Sequence, residues 1–257
     1  MKPAAKTSRR RLDAVVVEKG LAETRTRAQA LILAGHVRVN DVVTSKAGTA
    51  VSMDSNVTLD KPDHAYVGRG GIKLAHALTK FHVTVRKRTV LDVGASTGGF
   101  TDVALQGGAF RVFALDVGRG QLAWKLRQDA RVTVIDGVNA RYLTPDLLPK
   151  EFQSIDVITI DVSFISATLI LPSVQTILAP DGDIIVLVKP QFEAGRPEVG
   201  KHGVITDPMV HRRVVDHVAR IGSQLGLARI ASVSSPILGA EGNKEFFLHL
   251  RHSSTTL

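Results

Sequence analysis

Residues 90–105, VLDVGASTGGFTDVAL, hold the strongest indication of how the longer part of this chain folds. A mostly apolar, strand-like segment runs into a glycine-rich turn, and helix-compatible residues follow the turn. Gly94, Gly98 and Gly99 allow the backbone to pass close to a ligand, and Asp92 lies just before the turn. The spacing G-x-x-x-G-G differs from the G-x-G-x-x-G of dinucleotide-binding enzymes and from the G-x-x-x-x-G-K-S/T phosphate loop. The turn therefore predicts a ligand site that does not grip a phosphate group.

Strand-like and helical segments alternate from residue 88 onward. The strand-like segments are TVLDV, FRVFALDV, RVTVID, IDVITIDV, DIIVLVK, RIASVSS and EFFLHL. This alternation predicts an α/β fold in which helices cover a parallel sheet and ligands bind at the carboxyl ends of the strands. Each residue that closes a strand is therefore a candidate for the functional site.

Two aspartates at such strand ends indicate which ligand the turn binds. Asp116 closes the second strand, 22 positions after Gly94, where a carboxylate meets a ribose diol. Asp136 closes the third strand, where the amino group of an adenine can donate to it. A ligand that has ribose and adenine but needs no phosphate site is S-adenosyl-L-methionine. We therefore expect S-adenosyl-L-methionine as the cofactor.

Positive charge is concentrated at the N-terminus. The net charge is +9, and residues 1–46 contain ten Lys and Arg against four Asp and Glu, which is six of the nine net charges. This asymmetry predicts an N-terminal module that binds a polyanion. The chain contains no cysteine, which excludes disulfides, cysteine-ligated metals and a thiolate nucleophile. No secretory signal precedes the module, and we expect a cytoplasmic protein.

Local patterns in this module predict a helix and a hairpin. Thr24 can cap a helix that Gly35 ends. The apolar positions of this helix are Ala28, Leu31, Ile32 and Leu33. The segment HVRVNDVV, residues 36–43, then alternates and is predicted to turn at Asn40 and Asp41.

This stretch resembles the S4-type RNA-binding domain, named after a ribosomal protein. The resemblance rests on the RLD start and on R-x-x-A-x-x-L-I-x-x-G-x-V-x-V-N over residues 25–40. It implies a small α+β domain that binds structured RNA. The implied phosphate contacts are Arg11, Arg25, Arg27, Arg38 and Lys46. Pseudouridine synthases carry such domains and use an aspartate in an RLD string, but here we interpret Asp13 as structural.

The segments LDVGASTGGF, ALDVG and VID resemble the first three cofactor motifs of class I methyltransferases. Over residues 67–250 the chain resembles the FtsJ-type ribose methyltransferases. With the N-terminal module it resembles the TlyA family, the haemolysin-A-like ribosomal RNA 2′-O-methyltransferases, and the strings GRGGIKL, DVSFIS, LVKPQFE and GNKEFF fit that family. The resemblance implies a class I, Rossmann-like domain with a mostly parallel seven-stranded sheet. The implied cofactor-binding residues are Asp92, Gly94, Ser96, Gly98, Gly99, Phe100, Asp116, Val117, Asp136 and Gly137.

Four charged residues at element ends are candidates for the chemistry. Lys73 lies in the helix before the first strand, Asp161 and Lys189 close strands, and Glu245 begins the last strand. The resemblance places the family's Lys-Asp-Lys-Glu tetrad on these four residues. We expect Lys189 to be the general base, which requires burial or neighbouring cations to lower its pKa from about 10.4. Asp161 and Lys73 are expected to orient the base and the methyl acceptor, and Glu245 to fix the hydroxyl.

The type of methyl acceptor follows from what the sequence lacks. Methyltransferases acting on base amines have D/N-P-P-Y/F where this chain has DVSF, residues 161–164. Methylation of cytosine C5 needs a cysteine. A hydroxyl acceptor remains, and the histidines show no metal-ligand spacing, so no metal is expected. Two alternatives stay open, a membrane-active cytolysin and a ribosome-binding protein without catalysis.

The sequence also predicts the organisation of the chain. We expect an RNA-binding domain over residues 1–59, a linker over 60–68 and a methyltransferase domain over 69–257. The uncharged run 162–180 is interpreted as a buried strand end followed by a core helix, and no membrane contact is expected. The short segment after the last strand resembles the family's shorter form, so we expect a cytidine ribose of large-subunit ribosomal RNA as the target, with small-subunit RNA as a second possible substrate.

Overall fold

The computed structural model divides the chain into two compact units, Met1–Ala65 and Tyr66–Leu257. The division falls inside the predicted linker. The structure describes residues 9–19, 21–22, 24–60, 65–149, 154–200 and 203–253. Within these ranges, no helix has the length and apolar character needed to cross a membrane.

The N-terminal unit has two helices and two small antiparallel sheets. Its elements are β1 (Arg9–Arg11), α1 (Leu12–Glu18), α2 (Arg25–Leu33), β2 (Val37–Val39), β3 (Val42–Val43), β4 (Ala50–Ser52) and β5 (Val57–Leu59). Strand β1 pairs with β4, and a second sheet has the order β3-β2-β5. Buried apolar side chains of α1, α2, β2, β4 and β5 form the core of this unit. The predicted α+β character is confirmed.

The predicted helix and hairpin of this unit are both present. The Thr24 side chain accepts a hydrogen bond from the Arg27 amide at 3.2 Å, and Gly35 ends the helix with a φ of +76°. Asn40 and Asp41 have φ values of 49° and 65°, which are the left-handed conformations of a two-residue hairpin turn. Leu33 is 79% exposed, so this apolar position does not belong to the core.

Asp13 is a buried structural carboxylate. It accepts hydrogen bonds from Arg11 at 3.1 and 2.9 Å, from Arg25 at 3.3 Å and from Gln29 at 2.8 Å. The bond from Arg11 is the main reason why the pKa of Asp13 lies well below its usual range, against the effect of burial. The structural interpretation of Asp13 is confirmed, because its carboxylate joins β1 to α2.

The second unit alternates strands and helices. Its elements are α3 (Gly70–Phe81), β6 (Thr89–Val93), α4 (Gly99–Gln106), β7 (Arg111–Asp116), α5 (Trp124–Arg127), β8 (Val132–Asp136), β9 (Ile155–Ile160), α6 (Leu171–Gln175), β10 (Leu178–Val188), α7 (Pro190–Glu193), α8 (Pro208–Gln224), β11 (Leu227–Ser234) and β12 (Phe246–His252). The strands form one seven-stranded sheet in the order β11-β12-β10-β9-β6-β7-β8. Strands β6 to β10 are parallel, and β12 is antiparallel to both neighbours. The predicted mostly parallel, seven-stranded sheet is confirmed.

The direction of β12 determines which residues meet. Because β12 is reversed, its first residue lies at the same edge of the sheet as the last residues of β6 to β10, and we call this the upper edge. Val188 at the end of β10 is paired with Phe246 at the start of β12. Lys189 and Glu245, the next residues outward, therefore both lie at the upper edge.

Helices cover both faces of the sheet, and alternate residues of each strand point to opposite faces. In β6, Val90 packs in a core with α3, α4 and α5, whereas Leu91 and Val93 pack in a core with α6 and α8. Both cores are built from apolar side chains.

The uncharged run 162–180 folds differently from the prediction. Strand β9 ends at Ile160, before the run begins, so the expected strand end ahead of the helix is wrong. The core helix is present as the five-residue α6, in which Leu171 and Val174 are buried. Pro172 lies in the first turn of α6. An N–H group in that turn has no acceptor within the helix, so the proline costs no hydrogen bond and does not interrupt the helix.

The opposite, lower edge holds two further aspartates. Asp183 is fully buried and contacts Arg88 at 2.6 Å, His249 at 2.6 Å and Arg251 at 2.5 Å. Burial raises the pKa of Asp183, but these hydrogen bonds outweigh that effect and hold the pKa below its usual range. Asp156 accepts from the Thr89 amide at 2.7 Å. Both carboxylates are therefore engaged within the protein, away from the upper edge.

Replacing Asp13 tests its structural role. Asp13→Ala removes the acceptor of three side chains and is expected to destabilise the N-terminal unit by about 2–4 kcal/mol. Hydrogen–deuterium exchange of the α2 amides measures this as lost protection. The control Asp54→Ala removes an exposed carboxylate of the same unit and is expected to change stability by less than about 0.5 kcal/mol. Equal protection in both variants would contradict the assignment.

Candidate active site

The glycine turn after β6 is held against its two neighbouring strands. Gly94 has a φ of +85°, and a Cβ there would overlap the carbonyl group of Asp161 at the end of β9. The Gly94 amide donates to the Leu115 carbonyl of β7 at 2.8 Å. A side chain at this position would separate the turn from β9, so glycine is required by both conformation and space.

The Asp116 carboxylate is positioned by backbone amides. It accepts from the Ser96 amide at 2.8 Å and from the Gly118 amide at 2.7 Å. Ser96 itself has a φ of 47°, an uncommon conformation for a residue other than glycine. The Asp116 carboxylate therefore adds to the backbone bonds from Gly94 and Ala95 to Leu115, which also hold the turn against the end of β7.

Two cavities open at the upper edge on either side of the turn. The larger cavity, about 350 Å³, is lined by Val93, Gly94, Ser96, Leu115, Asp116, Val117, Gln121, Val138, Asn139, Ala140, Asp161, Val162, Ser163, Phe164, Ile165 and Ile170. The smaller cavity, about 270 Å³, is lined by Gly68, Arg69, Gly70, Lys73, Gly94, Ala95, Ser96, Thr97, Gly99, Phe100, Asp161, Leu238 and Gly239. Both cavities share Gly94, Ser96 and Asp161, so a ligand that occupies both passes directly over these residues.

The four charged candidates form two ion pairs beside the shared part of the cavities. Lys73 Nζ lies 2.5 Å from Glu245 Oε2, and Lys189 Nζ lies 2.5 Å from Asp161 Oδ1. All four side chains are at least three-quarters buried, with exposed fractions of 12% and 2% in the first pair and 11% and 21% in the second. Burial of these charges is tolerable because each one faces an opposite charge.

Asp161 lines both cavities and also belongs to the second ion pair. Its Oδ1 is buried beside Lys189 and has no aligned hydrogen-bond partner among the described residues. Lys189 donates instead to the Ser163 hydroxyl at 2.9 Å. Asp161 therefore links Lys189 to the part that the two cavities share.

Asp92 lies beneath the turn rather than in a cavity. It is buried, and it accepts from the hydroxyl groups of Thr101 at 2.7 Å and Thr159 at 3.1 Å. Burial raises the pKa of Asp92 to about 7, and the nearby charge of Asp161 adds to the effect while the threonine bonds oppose it. Asp92 therefore supports the turn from below through α4 and β9.

The structure separates the candidate cofactor residues into two groups. Those that line a cavity are Gly94, Ser96, Gly99, Phe100, Asp116 and Val117. Those that line neither cavity are Asp92, Gly98, Asp136 and Gly137. Asp136 forms an ion pair with Arg127 and accepts from the Gly120 amide at 3.0 Å, so its carboxylate is engaged within the protein. Gly98 packs under Leu126 of α5.

Several residues of the cavities were missed from the sequence. Phe164 lines the larger cavity, has a φ of 64° and is 92% exposed. Arg69 and Leu238 line the smaller cavity. Phe164 and Arg69 lie in DVSFIS and GRGGIKL, strings that the sequence does single out, but only the folded chain shows which of their residues reach a cavity.

The candidate phosphate contacts of the N-terminal unit differ in their surroundings. Arg11 and Arg25 hold Asp13, and Arg38 pairs with Asp60 at 2.6 Å. Within the described residues, no acidic side chain is in ion-pair distance of Arg27 or Lys46. Of the five candidates, these two are therefore the ones without a carboxylate partner in the described part of the unit.

Models of known protein families match both units of the chain. A family model described as FtsJ-like methyltransferase matches residues 66–252, which is well over half of the chain. The chain belongs to the FtsJ-like methyltransferase family. An S4 domain model matches residues 10–57 of the same methyltransferase. No cluster of metal-ligating side chains occurs in the part of the chain that the structure describes.

The methyltransferase resembles three proteins over most of its length. It is 46% identical to the 16S/23S rRNA (cytidine-2′-O)-methyltransferase TlyA of Mycobacterium tuberculosis, over 95% of this chain and 90% of the relative. It is 42% identical to Hemolysin A of Brachyspira hyodysenteriae, over 93% of this chain and 98% of the relative. A solved structure from Streptococcus thermophilus superimposes with a TM-score of 0.75 at 40% identity, covering 96% of this chain and 90% of the other.

The raised pKa of Asp92 predicts a pH-dependent stability. A carboxyl group whose pKa is about 7 in the folded state and about 4 when unfolded contributes stability below pH ~4 that is lost as the pH rises to ~7. The Asp92→Asn variant has no group to titrate at this position. The unfolding free energy of the variant minus that of the wild type is therefore expected to rise by about 2–4 kcal/mol between pH ~4 and pH ~8. Urea denaturation followed by Trp124 fluorescence measures the difference. A difference independent of pH would show that Asp92 titrates normally.

Proposed function

We propose that this methyltransferase transfers a methyl group from S-adenosyl-L-methionine to the ribose 2′-hydroxyl of a cytidine in large-subunit ribosomal RNA. The observation that carries the proposal is the position of the two lysine–carboxylate pairs, which flank the part shared by both cavities. The name of the Mycobacterium tuberculosis relative, which includes 23S RNA and cytidine 2′-O-methylation, supports the choice of substrate. Small-subunit RNA is the second substrate to test, and a ribosomal substrate would place the enzyme in the cytoplasm.

The chemistry of the cavities suits S-adenosyl-L-methionine. Asp116 at the mouth of the larger cavity is a carboxylate acceptor for a ribose diol, and Leu115, Val117 and Val138 offer apolar surface to an adenine. The helices α3 and α4 begin at Gly70 and Gly99 in the lining of the smaller cavity, where helix N-termini favour a carboxylate such as that of methionine. When bound, the cofactor supplies an electrophilic methyl group on a sulfonium.

The four residues of the two ion pairs are proposed to deprotonate and position the hydroxyl. Lys189, once it has given up its own proton, would accept the proton of the 2′-hydroxyl as the methyl group passes from the sulfonium to the hydroxyl oxygen and the methyl–sulfur bond breaks. Asp161 pairs with Lys189 at 2.5 Å and lines both cavities, so it would orient the base and the methyl acceptor. Lys73 lines the smaller cavity and orients the acceptor, and Glu245 holds Lys73 in place and fixes the hydroxyl.

The N-terminal unit is proposed to bind the RNA through its phosphates. Arg27 and Lys46 are favoured for this role because their charges are uncompensated among the described residues of the unit. Arg11, Arg25 and Arg38 remain candidates whose free donors can reach a phosphate while they keep their carboxylate partners. The domain boundaries proposed for this division of function remain 1–59 and 69–257, joined by residues 60–68.

Replacing the proposed base tests the mechanism. Lys189→Ala is expected to lower methyl transfer to ribosomal RNA by at least about 100-fold, the contribution of a general base. The affinity for S-adenosyl-L-methionine is expected to stay within a few fold, because Lys189 lines neither cavity. Filter binding of tritiated methyl groups measures transfer, and isothermal titration measures affinity.

Lys80→Ala is the matched control, because Lys80 is an exposed lysine at the end of α3. It is expected to leave both quantities unchanged. Methyl transfer at the wild-type rate in the Lys189→Ala variant would contradict the proposed mechanism. Loss of cofactor binding in that variant would mean that Lys189 is misassigned.

Salt dependence tests the RNA-binding role of the N-terminal unit. The double variant Arg27→Ala/Lys46→Ala is expected to weaken RNA binding and to reduce the slope of log affinity against log salt by about one unit for each lost phosphate contact. The control Arg86→Ala/Lys87→Ala removes two exposed positive charges before β6, far along the sheet from the upper edge. If both double variants keep the wild-type slope, the proposed phosphate contacts are wrong.

A further inference from the structure

Asp161 and Lys189 both lie just beyond the ends of their strands. Strand β9 ends at Ile160 and β10 ends at Val188. The ladder between the two strands pairs Ile160 with Val186, so it does not extend to Asp161 or Lys189. The segments that follow, residues 161–166 and 189–193, must therefore be held in position by other contacts.

Four contacts join these two segments. Lys189 pairs with Asp161 and donates to Ser163, and the rings of Phe164 and Phe192 lie 5.2 Å apart. The fourth contact is made by Glu193 at the end of α7. It accepts from the Ser166 hydroxyl at 2.5 Å and from the Ala167 amide at 2.7 Å.

Of these four contacts, the Glu193 contact is the one that reaches a backbone group, the amide of Ala167 directly after the first segment. Ala167 begins a single helical turn, Ala167–Leu169, whose first amides have no partner within the turn. Ser166, which donates to Glu193, also contacts the Thr168 hydroxyl at 2.6 Å. Glu193 is therefore connected to this turn through Ser166 as well as through the Ala167 amide. Burial raises the pKa of Glu193, and the bonds from Ser166 and Ala167 oppose that effect.

Glu193 does not reach the ligand cavities. It is absent from the lining of both, whereas Ile165 and Ile170, on either side of the turn that it holds, line the larger one. Any effect of Glu193 on methyl transfer must therefore pass through the two segments that carry Asp161 and Lys189.

We propose that Glu193 is a positioning residue, which ties the segment after β10 to the segment after β9 and so holds Lys189 and Asp161 in reacting geometry. This proposal rests on the proposed function, since it assigns a role within the same site. Without Glu193, the Ala167 amide loses its acceptor and residues 162–166 keep fewer contacts with the segment after β10, although the Asp161 amide stays bonded to the Val93 carbonyl. A displacement of about 1 Å in a reacting group is enough to lower a rate about 100-fold.

The test compares full-length variants by kcat, KM and cofactor affinity with ribosomal RNA as substrate. Glu193→Ala is expected to lower kcat about tenfold to 100-fold while KM for RNA and cofactor affinity change little. Glu193→Gln is expected to restore most of kcat, because its amide oxygen accepts from Ala167 and its amide N–H donates to the Ser166 oxygen. Ser166→Ala is expected to lower kcat less than Glu193→Ala does. The double variant is expected to lose no more activity than Glu193→Ala alone, because both substitutions remove the same contact between Ser166 and Glu193.

Asp183→Asn is the matched control for general destabilisation. Asp183 is also a buried carboxylate of this unit, but it lies at the lower edge. The control is expected to lose stability while kcat per folded molecule, counted by circular dichroism and cofactor binding, stays at the wild-type value. Glu193→Ala with wild-type kcat per folded molecule, or Glu193→Gln as impaired as Glu193→Ala, would overturn the positioning role.

The failure of the proposed function gives a different result. If the wild-type protein transfers no methyl group to ribosomal RNA, the proposed function is wrong and the positioning role is rejected with it. If the wild type is active and Glu193→Ala is equally active, only the positioning role is rejected.

Discussion

Two lysine–carboxylate ion pairs meet at one edge of the sheet, and the remainder of the site is arranged around the need to keep them paired. Burying one of these charges without its partner would be strongly destabilising. The pairing depends on the reversed direction of β12, which brings Glu245 to the edge where Asp161 and Lys189 leave their strands. The two pairs thereby place charged side chains from the ends of three strands and from α3 along this edge.

The supporting contacts lie one layer further from the cavities. Asp92 holds the glycine turn from below through Thr101 and Thr159, and Asp116 holds it from the side through the Ser96 amide. Glu193 is proposed to do the same for the segment that carries Asp161. These three carboxylates act on backbone and hydroxyl groups, which is how a fold fixes flexible connections at the ends of rigid strands.

Sequence patterns predict those features that depend on neighbouring residues. The period-two strands, the Thr24 cap and the Asn40–Asp41 turn follow from local chemistry, so they appear as predicted. The engagement of Asp136 by Arg127 and of Asp13 by Arg25 depends on how separate elements pack, which no local pattern contains. The exposure of Leu33 was likewise decided by packing.

The central claim is that this edge of the sheet methylates a ribose hydroxyl of ribosomal RNA. The most direct measurement is to treat separated ribosomal subunits with the pure protein and labelled S-adenosyl-L-methionine, and then to map the modified position by resistance to alkaline hydrolysis. The account predicts label at the 2′-oxygen of a cytidine in large-subunit RNA. Label on a base, or no label on RNA from either subunit, would contradict it.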